Sequence, residues 1–279
     1  MEEKWMKRFF VRPALFAVLA LATVATFAVS DTAWAHFQMV YTPHAIADTG
    51  QELNLKIVFT HPFTAGHTMD MGKPRAFFLE HKGKRTDLGG SLKAINWKSM
   101  TNQGVAYEAV YKVRTMGDYI FCLEPEPYLE ESEDCYIQQF TKSYVNVAGM
   151  ATDWDREIGL PAEIVPLDKP YALWAGSTFR GIVKSGGKIV PYADIEVEFL
   201  NHQPLTKENA FSETAEVEPP FSVMETLTIK ADGNGVFVFG IPREGWWGFA
   251  ALGVGPETEH KGKELSQDAV IWVYAHGMK

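Results

Sequence analysis

Beyond its first thirty-five residues the chain is written in alternation. In LNLKIVF, residues 53–59, Leu53, Leu55, Ile57 and Phe59 fall on one side while Asn54 and Lys56 fall on the other, the period-2 signature of a half-buried strand. Ile195, Val197 and Phe199 repeat it in IEVEFL. Gly89-Gly90, Gly186-Gly187 and the DGNG of 232–235 separate such runs as turns. No stretch holds a 3.6-residue apolar period, and no internal repeat suggests a solenoid. Many short strands with dense turns predict an all-β fold of two antiparallel β-sandwich domains, Ig-like or transthyretin-like.

The boundary between them is expected in DWDREIGLPAEIVPLDKP, residues 153–170, where three prolines and mixed charges break the alternation. That gives an N-terminal sandwich over 36–152, a linker over 153–170 and a C-terminal sandwich over 171–279. The polar segment NHQPLTKENAFSETAEVEPPFS, residues 201–222, reads as a long loop. Of Trp246 and Trp247, at least one is expected in the core.

The first thirty-five residues have a different grammar. Lys4, Lys7, Arg8 and Arg12 precede an apolar run from Pro13 to Val29, and Ala33-Trp34-Ala35 supplies small residues where a signal peptidase reads. The run is short for a membrane span, which takes about 20 apolar residues. A signal peptide over 1–35, cleaved before His36, is therefore expected rather than a retained anchor. The product would be a soluble periplasmic protein, in peripheral membrane contact at most.

Composition narrows the function classes. A formal net charge of −9 disfavours nucleic acid and favours cations or basic partners, although acidity of this kind is also ordinary solubility chemistry. Cys122 and Cys135 are the only cysteines. In an oxidising compartment they could pair, closing a loop of about 15 residues worth about 3 kcal/mol, or stay free, since spacing does not fix their Cβ approach. No Walker loop, G-x-S-x-G, H-E-x-x-H or G-x-G-x-x-G after a strand is present, and the chain is not expected to be an enzyme.

Candidate chemistry concentrates in histidines. Cleavage before His36 would expose a histidine whose α-amine and ring Nδ1 close a six-membered chelate that no internal histidine can make. Its plainer fate is a frayed terminus. HPFTAGHTMDM, residues 61–71, adds His61, His67, Met69, Asp70 and Met71. His61 shares the parity of Leu53 to Phe59, so it is expected on the core-facing side at the strand's end, where an inward imidazole needs a hydrogen bond or a metal. Imidazole suits nickel, cobalt, copper and zinc, and thioether sulfur leans to Cu(I), although methionine more often fills core. His276 ends the strand AVIWVYAH, whereas His44, His81, His202 and His260 read as solvated. The run EPEPYLEESEDC, residues 124–135, carries Glu124, Glu126, Glu130, Glu131, Glu133 and Asp134 and reads as a solvated loop. Asp70 and Asp134 are candidate acceptors for orienting an imidazole.

Several runs taken in order carry a resemblance: AHFQMVYTP, then HPF..GH.MDM.KP, GDYIFCLEPEPYLEESEDCYIQQFTK, GLPAEIVPL.KPYALWAGSTFRG and ADGNGVFVFGIPREGWWGFAAL. Together they resemble the periplasmic, NikK-like components of bacterial nickel and cobalt uptake transporters of the energy-coupling-factor type, over nearly all of 36–279. The resemblance implies a periplasmic β protein that handles Ni²⁺ beside a membrane permease, with Co²⁺ or Cu²⁺ as other candidate ions. It places metal ligation on His36 and on His61 of the HPF motif. At Gly66-His67 the chain departs from the Gly-Met of some relatives, which leaves His67 or Met69 as a variable fourth donor. A periplasmic copper carrier, or a copper oxidase built on a histidine brace, is the alternative for the same residues.

Overall fold

The computed structural model describes residues 36–278; the expected signal peptide at 1–35 lies outside them. Twenty-two strands and two short 3₁₀ turns account for the regular structure among the described residues, with no α-helix. No helix there is long and apolar enough to cross a membrane. The all-β, sandwich-type expectation holds. The strands form a six-stranded, a twelve-stranded and a four-stranded sheet.

The six-stranded sheet begins with Phe37–Tyr41, then Glu52–Thr60, Gln103–Lys112 and Lys93–Lys98. Its alternating residues Leu53, Leu55, Ile57 and Phe59 pack against Phe77, Leu79, Phe121, Leu123 and Val145 of the large sheet. Parity thus puts every second residue of one strand into a single core, as the sequence pattern requires. A second cluster joins Phe37 and Met39 to Phe179, Phe237, Phe249 and Trp272. Trp246 and Trp247 are both buried in it.

The two expected halves share their sheets. Strand Cys135–Val147 pairs in parallel with Lys263–His276, from Tyr136 opposite Leu265 to Ser143 opposite Trp272. A strand with neighbours on both sides and layers on both faces is buried throughout, which explains the unbroken apolar run VIWV of 270–273. The same burial falls on a far more polar strand: Gln138, Gln139, Thr141, Lys142, Ser143 and Asn146 are all buried. Most find partners there, among them Glu163 for Lys142 at 2.7 Å and Asp118 for Asn146 at 2.7 Å.

Residues 153–170, expected as a linker, include the wholly buried strand Ala162–Pro166, which pairs antiparallel with Thr178–Ser185. Residues 36–278 accordingly form one compact unit. The expected loop at 201–222 is in part a hairpin, His202–Leu205 against Ala210–Ala215, docked on the six-stranded sheet where Lys98 N–H donates to the Asn209 carbonyl at 2.8 Å. His202 is consequently buried rather than solvated, with Nδ1 2.8 Å from the Ser212 carbonyl. Both cysteines are free, because Cys122 faces the core and Cys135 lies at the edge beside Glu133.

Strands Glu52–Thr60 and Gln103–Lys112 pair from Glu52/Lys112 to Ile57/Tyr107. Beyond that pairing the segment 67–71 enters between them: Thr68 bridges Thr60, Met69 N–H donates to Phe59 O at 2.9 Å and Met71 N–H to Val105 O at 3.0 Å. Gly104 permits this approach, since a Cβ there would lie 2.5 Å from the Thr68 carbonyl oxygen. Gly104→Ala is expected to push the 67–71 segment outward and to cost about 1–3 kcal/mol, the usual penalty of overpacking. Urea unfolding measures it; an unchanged midpoint would show that the segment yields freely.

Candidate metal centre

His36 and His61 meet as a cross-strand pair. The register sets Phe37 opposite Thr60, so the next step along the ladder faces His36 with His61. Their ring centroids are 4.6 Å apart, and the Phe59 ring lies 5.7 Å from that of His36. His61 is buried, on the side its parity with Leu53 to Phe59 predicted.

The backbone on both sides is held firmly. The His36 carbonyl accepts from Gln139 Nε2 at 2.7 Å, and Gln139 Oε1 accepts from Gln38 N–H at 2.7 Å. Gln139 also donates to Asp268 Oδ2 at 3.1 Å, from the neighbouring parallel strand. Asp268 is in turn fixed by Gly253 N–H and the Ser266 hydroxyl, while burial raises its carboxyl above the usual range. The Gln38 carbonyl accepts from Trp272 Nε1 at 2.9 Å. On the other strand, the turn after His61 is held by Glu198, which accepts from Phe63 N–H at 3.1 Å, and by Asn201, whose side chain donates to Phe63 O at 3.2 Å. Burial pushes the Glu198 carboxyl up to about 8.

A carboxylate completes the setting. His36 Nε2 lies 3.0 Å from Glu130 Oε2, with the side chains 10% and 13% exposed, so the contact is sheltered from water. Burial pushes the His36 imidazole below its ordinary range, against the pull of Glu130 and Glu133. Because a carboxylate can only accept, the contact is Nε2–H of His36 donating to Glu130. Burial acts to raise Glu130, but the Ser132 hydroxyl and N–H, together with His36, outweigh it and hold the carboxyl below the usual range.

Glu130 departs from the expectation of a solvated acidic run: its carboxylate is sheltered against His36. Tyr128–Glu130 is instead a short strand on Cys135–Ile137, and Tyr128 packs edge-on to Phe59 at 5.5 Å. The aromatic two positions ahead of Glu130 was the available signal, because alternate residues share a face. The acceptors expected to orient an imidazole lie elsewhere. Asp70 accepts from Val105 N–H at 2.6 Å, and Asp134 pairs with Lys263.

The remaining candidates divide. His67 is exposed, its Nε2 3.3 Å from Asn102 Nδ2. Met69, expected as an alternative fourth donor, fills the core beside Leu55, Ile57 and Phe77 with no exposed surface. Its residue type suits that role better, because a thioether without polar neighbours packs as a hydrocarbon. Met71 Sδ lies 3.6 Å from Gln38 Nε2. His276 Nε2 pairs with the Tyr171 carbonyl at 2.9 Å. Among the described residues no three His, Cys, Asp or Glu side chains form a group that could hold a metal by themselves. An ion at His36 and His61 would need a further donor; the cleavage expected from the sequence would supply an α-amine of the right chemistry on His36.

A family model described as "Domain of unknown function (DUF4198)" matches residues 33–255. No curated protein matches the chain. Among solved structures, a DUF4785 family protein from Legionella pneumophila is similar at 14% identity, covering 78% of this chain and 54% of that one, with a TM-score of 0.28. Fibronectin(III)-like modules of Clostridium thermocellum CbhA align at 7% identity over 87% of this chain and 95% of theirs, with a TM-score of 0.22. The IG1+IG2 pair of DIP-gamma aligns at 11% identity over 86% and 98%, with a TM-score of 0.21. Likenesses this distant say nothing about ligand or partner.

Proposed function

The chain belongs to the DUF4198 family, whose description assigns no activity, and on that premise we propose that it is an exported metal-binding protein that captures Ni²⁺ as cargo for a nickel or cobalt transporter in the membrane. Co²⁺ is the alternative cargo. After cleavage before His36, the new α-amine and the His36 Nδ1 chelate the ion and His61 adds a second imidazole. His67, at the exposed end of its segment, is the candidate fourth donor and would have to swing toward the pair from its place beside Asn102.

One observation carries this reading: His36, the residue that follows the expected cleavage site, stands beside His61 with ring centroids 4.6 Å apart. Two further features support it. Burial shifts the His36 ring toward its neutral form, the form that binds metals. The hydrogen bonds of Gln139 fix the backbone that bears the chelate, so little ordering cost remains for binding. The donor chemistry is nitrogen-rich, which suits divalent nickel, cobalt and copper; with Met69 enclosed in the core, the thioether contribution that would favour Cu(I) is reduced. Cu²⁺ binds such donors more tightly than Ni²⁺ as a rule, so nickel selectivity would rest on supply and geometry. The transporter partner rests on the resemblance of the quoted motifs to NikK-like components.

Native mass spectrometry of the exported protein tests the whole reading, because it reports the first residue and the bound ion together. The expected species begins at His36 and carries one nickel per chain. A species beginning elsewhere, or one that takes up neither nickel nor cobalt, overturns the proposal. Exclusive retention of copper with peroxide-dependent cleavage of a glycan would assign the site to an oxidase instead.

A further inference from the structure

The contact between His36 and Glu130 also fixes where the imidazole carries its proton. A neutral imidazole carries one proton on one of two nitrogens, and its partner decides which. A carboxylate can only accept, so Glu130 Oε2 at 3.0 Å from Nε2 requires the proton there and leaves the lone pair on Nδ1. Nδ1 is also the ring nitrogen that can close a six-membered chelate with the α-amine of the same residue. Nε2 lies on the far side of the ring and cannot do so without strain. Resting on the cargo reading above, we propose that Glu130 is a positioning residue that selects Nδ1 of His36 as the metal-binding nitrogen before any ion arrives.

The surroundings are built for that task. The second oxygen, Oε1, accepts from the Ser132 hydroxyl at 2.6 Å and from Ser132 N–H at 3.1 Å, so the carboxylate is locked by its own turn and does not follow the ring. Tyr128–Glu130 is hydrogen-bonded to Cys135–Ile137, and two residues further along that strand Gln139 clamps the His36 carbonyl. One strand therefore fixes the backbone of His36 directly and the tautomer of its ring through a hairpin partner. At the far end of the turn Asp134 is tied to Lys263. Outer carboxylates that orient a ligating histidine in this way are worth about 10–100-fold in metal affinity.

The test is ¹⁵N NMR of histidine-labelled, correctly processed protein without metal, followed by nickel titration. The wild type is expected to show His36 protonated at Nε2. Glu130→Ala should lose that preference and bind nickel about 10–100-fold more weakly. Glu130→Gln, whose amide oxygen still accepts, should keep the tautomer and most of the affinity. A wild-type His36 protonated at Nδ1 overturns the proposal, as does an alanine variant in which tautomer and affinity are both unchanged. Should Glu130→Ala fail to fold, the wild-type spectrum and the glutamine variant still decide. If the wild type binds no nickel, the cargo reading fails alone, because the tautomer is read without metal.

Discussion

One residue added ahead of His36 is expected to lower nickel affinity by at least about 100-fold, some 2.8 kcal/mol at 1.4 kcal/mol per decade. The reason is electronic as well as steric. Acylating the α-amine turns it into a peptide nitrogen whose lone pair is delocalised into the carbonyl. Its chelate with Nδ1 is then lost, although both imidazoles keep their places. His61→Ala should also weaken binding but leave the chelate, so its loss is the smaller. His44→Ala is the control, since His44 is exposed and has no part in the site; His202 is unsuitable because it is buried against Ser212 O. Isothermal titration of the three variants beside the processed wild type makes the comparison. Equal affinity in the extended protein removes the α-amine from the mechanism.

Lys142→Met should destabilise the fold by about 3–5 kcal/mol, the cost of leaving one member of a buried ion pair uncompensated. Lys142 and Glu163 have side chains only 1% and 2% exposed, and Glu163 also accepts from Ile158 N–H and Gly159 N–H, each at 2.8 Å. Removing both charges with Lys142→Met/Glu163→Leu should recover only part of the loss, since those two amides then lack their acceptor.

The pH dependence follows from the directions of the shifts. Burial acts against the Glu163 charge, but Lys142 and the two amides outweigh it and hold the carboxyl below its reference of 4.5. The stability it supplies is therefore present above 4.5 and lost as pH falls through the depressed folded value. Glu198 has the opposite sign: with its folded value raised to about 8, stability declines as pH rises from 4.5 toward 8. In Lys142→Met the deficit against wild type should narrow at low pH, where the stranded Glu163 becomes neutral. Urea midpoints measured from pH 3 to pH 9 check both statements. A deficit that does not change with pH would show that Glu163 keeps the same charge in the variant as in the wild type.

Parity made half of the candidate site readable. Leu53 to Phe59 alternate, and extending that count by one step puts His61 inward at the strand end, where it lies. Glu130 escaped because carboxylates in a run look alike in one dimension; it differs from Glu131 only in falling two residues after an aromatic that packs on Phe59. Gln139 and Asp268 escaped for a stronger reason. They are 129 positions apart, and nothing local to either residue announces a parallel pairing of their strands.

What the sequence determined by itself was the class of fold, the inward face of the His61 strand and the short set of histidines worth considering. These depend on side-chain alternation and turn chemistry, which act over a few residues. Tertiary structure alone decided that the segment 153–170 is part of the folded unit, that Met69 serves the core and that Glu130 meets His36. Each of those outcomes depends on which distant strands share a sheet, and that is set by the burial of whole faces against one another rather than by any stretch of neighbouring residues.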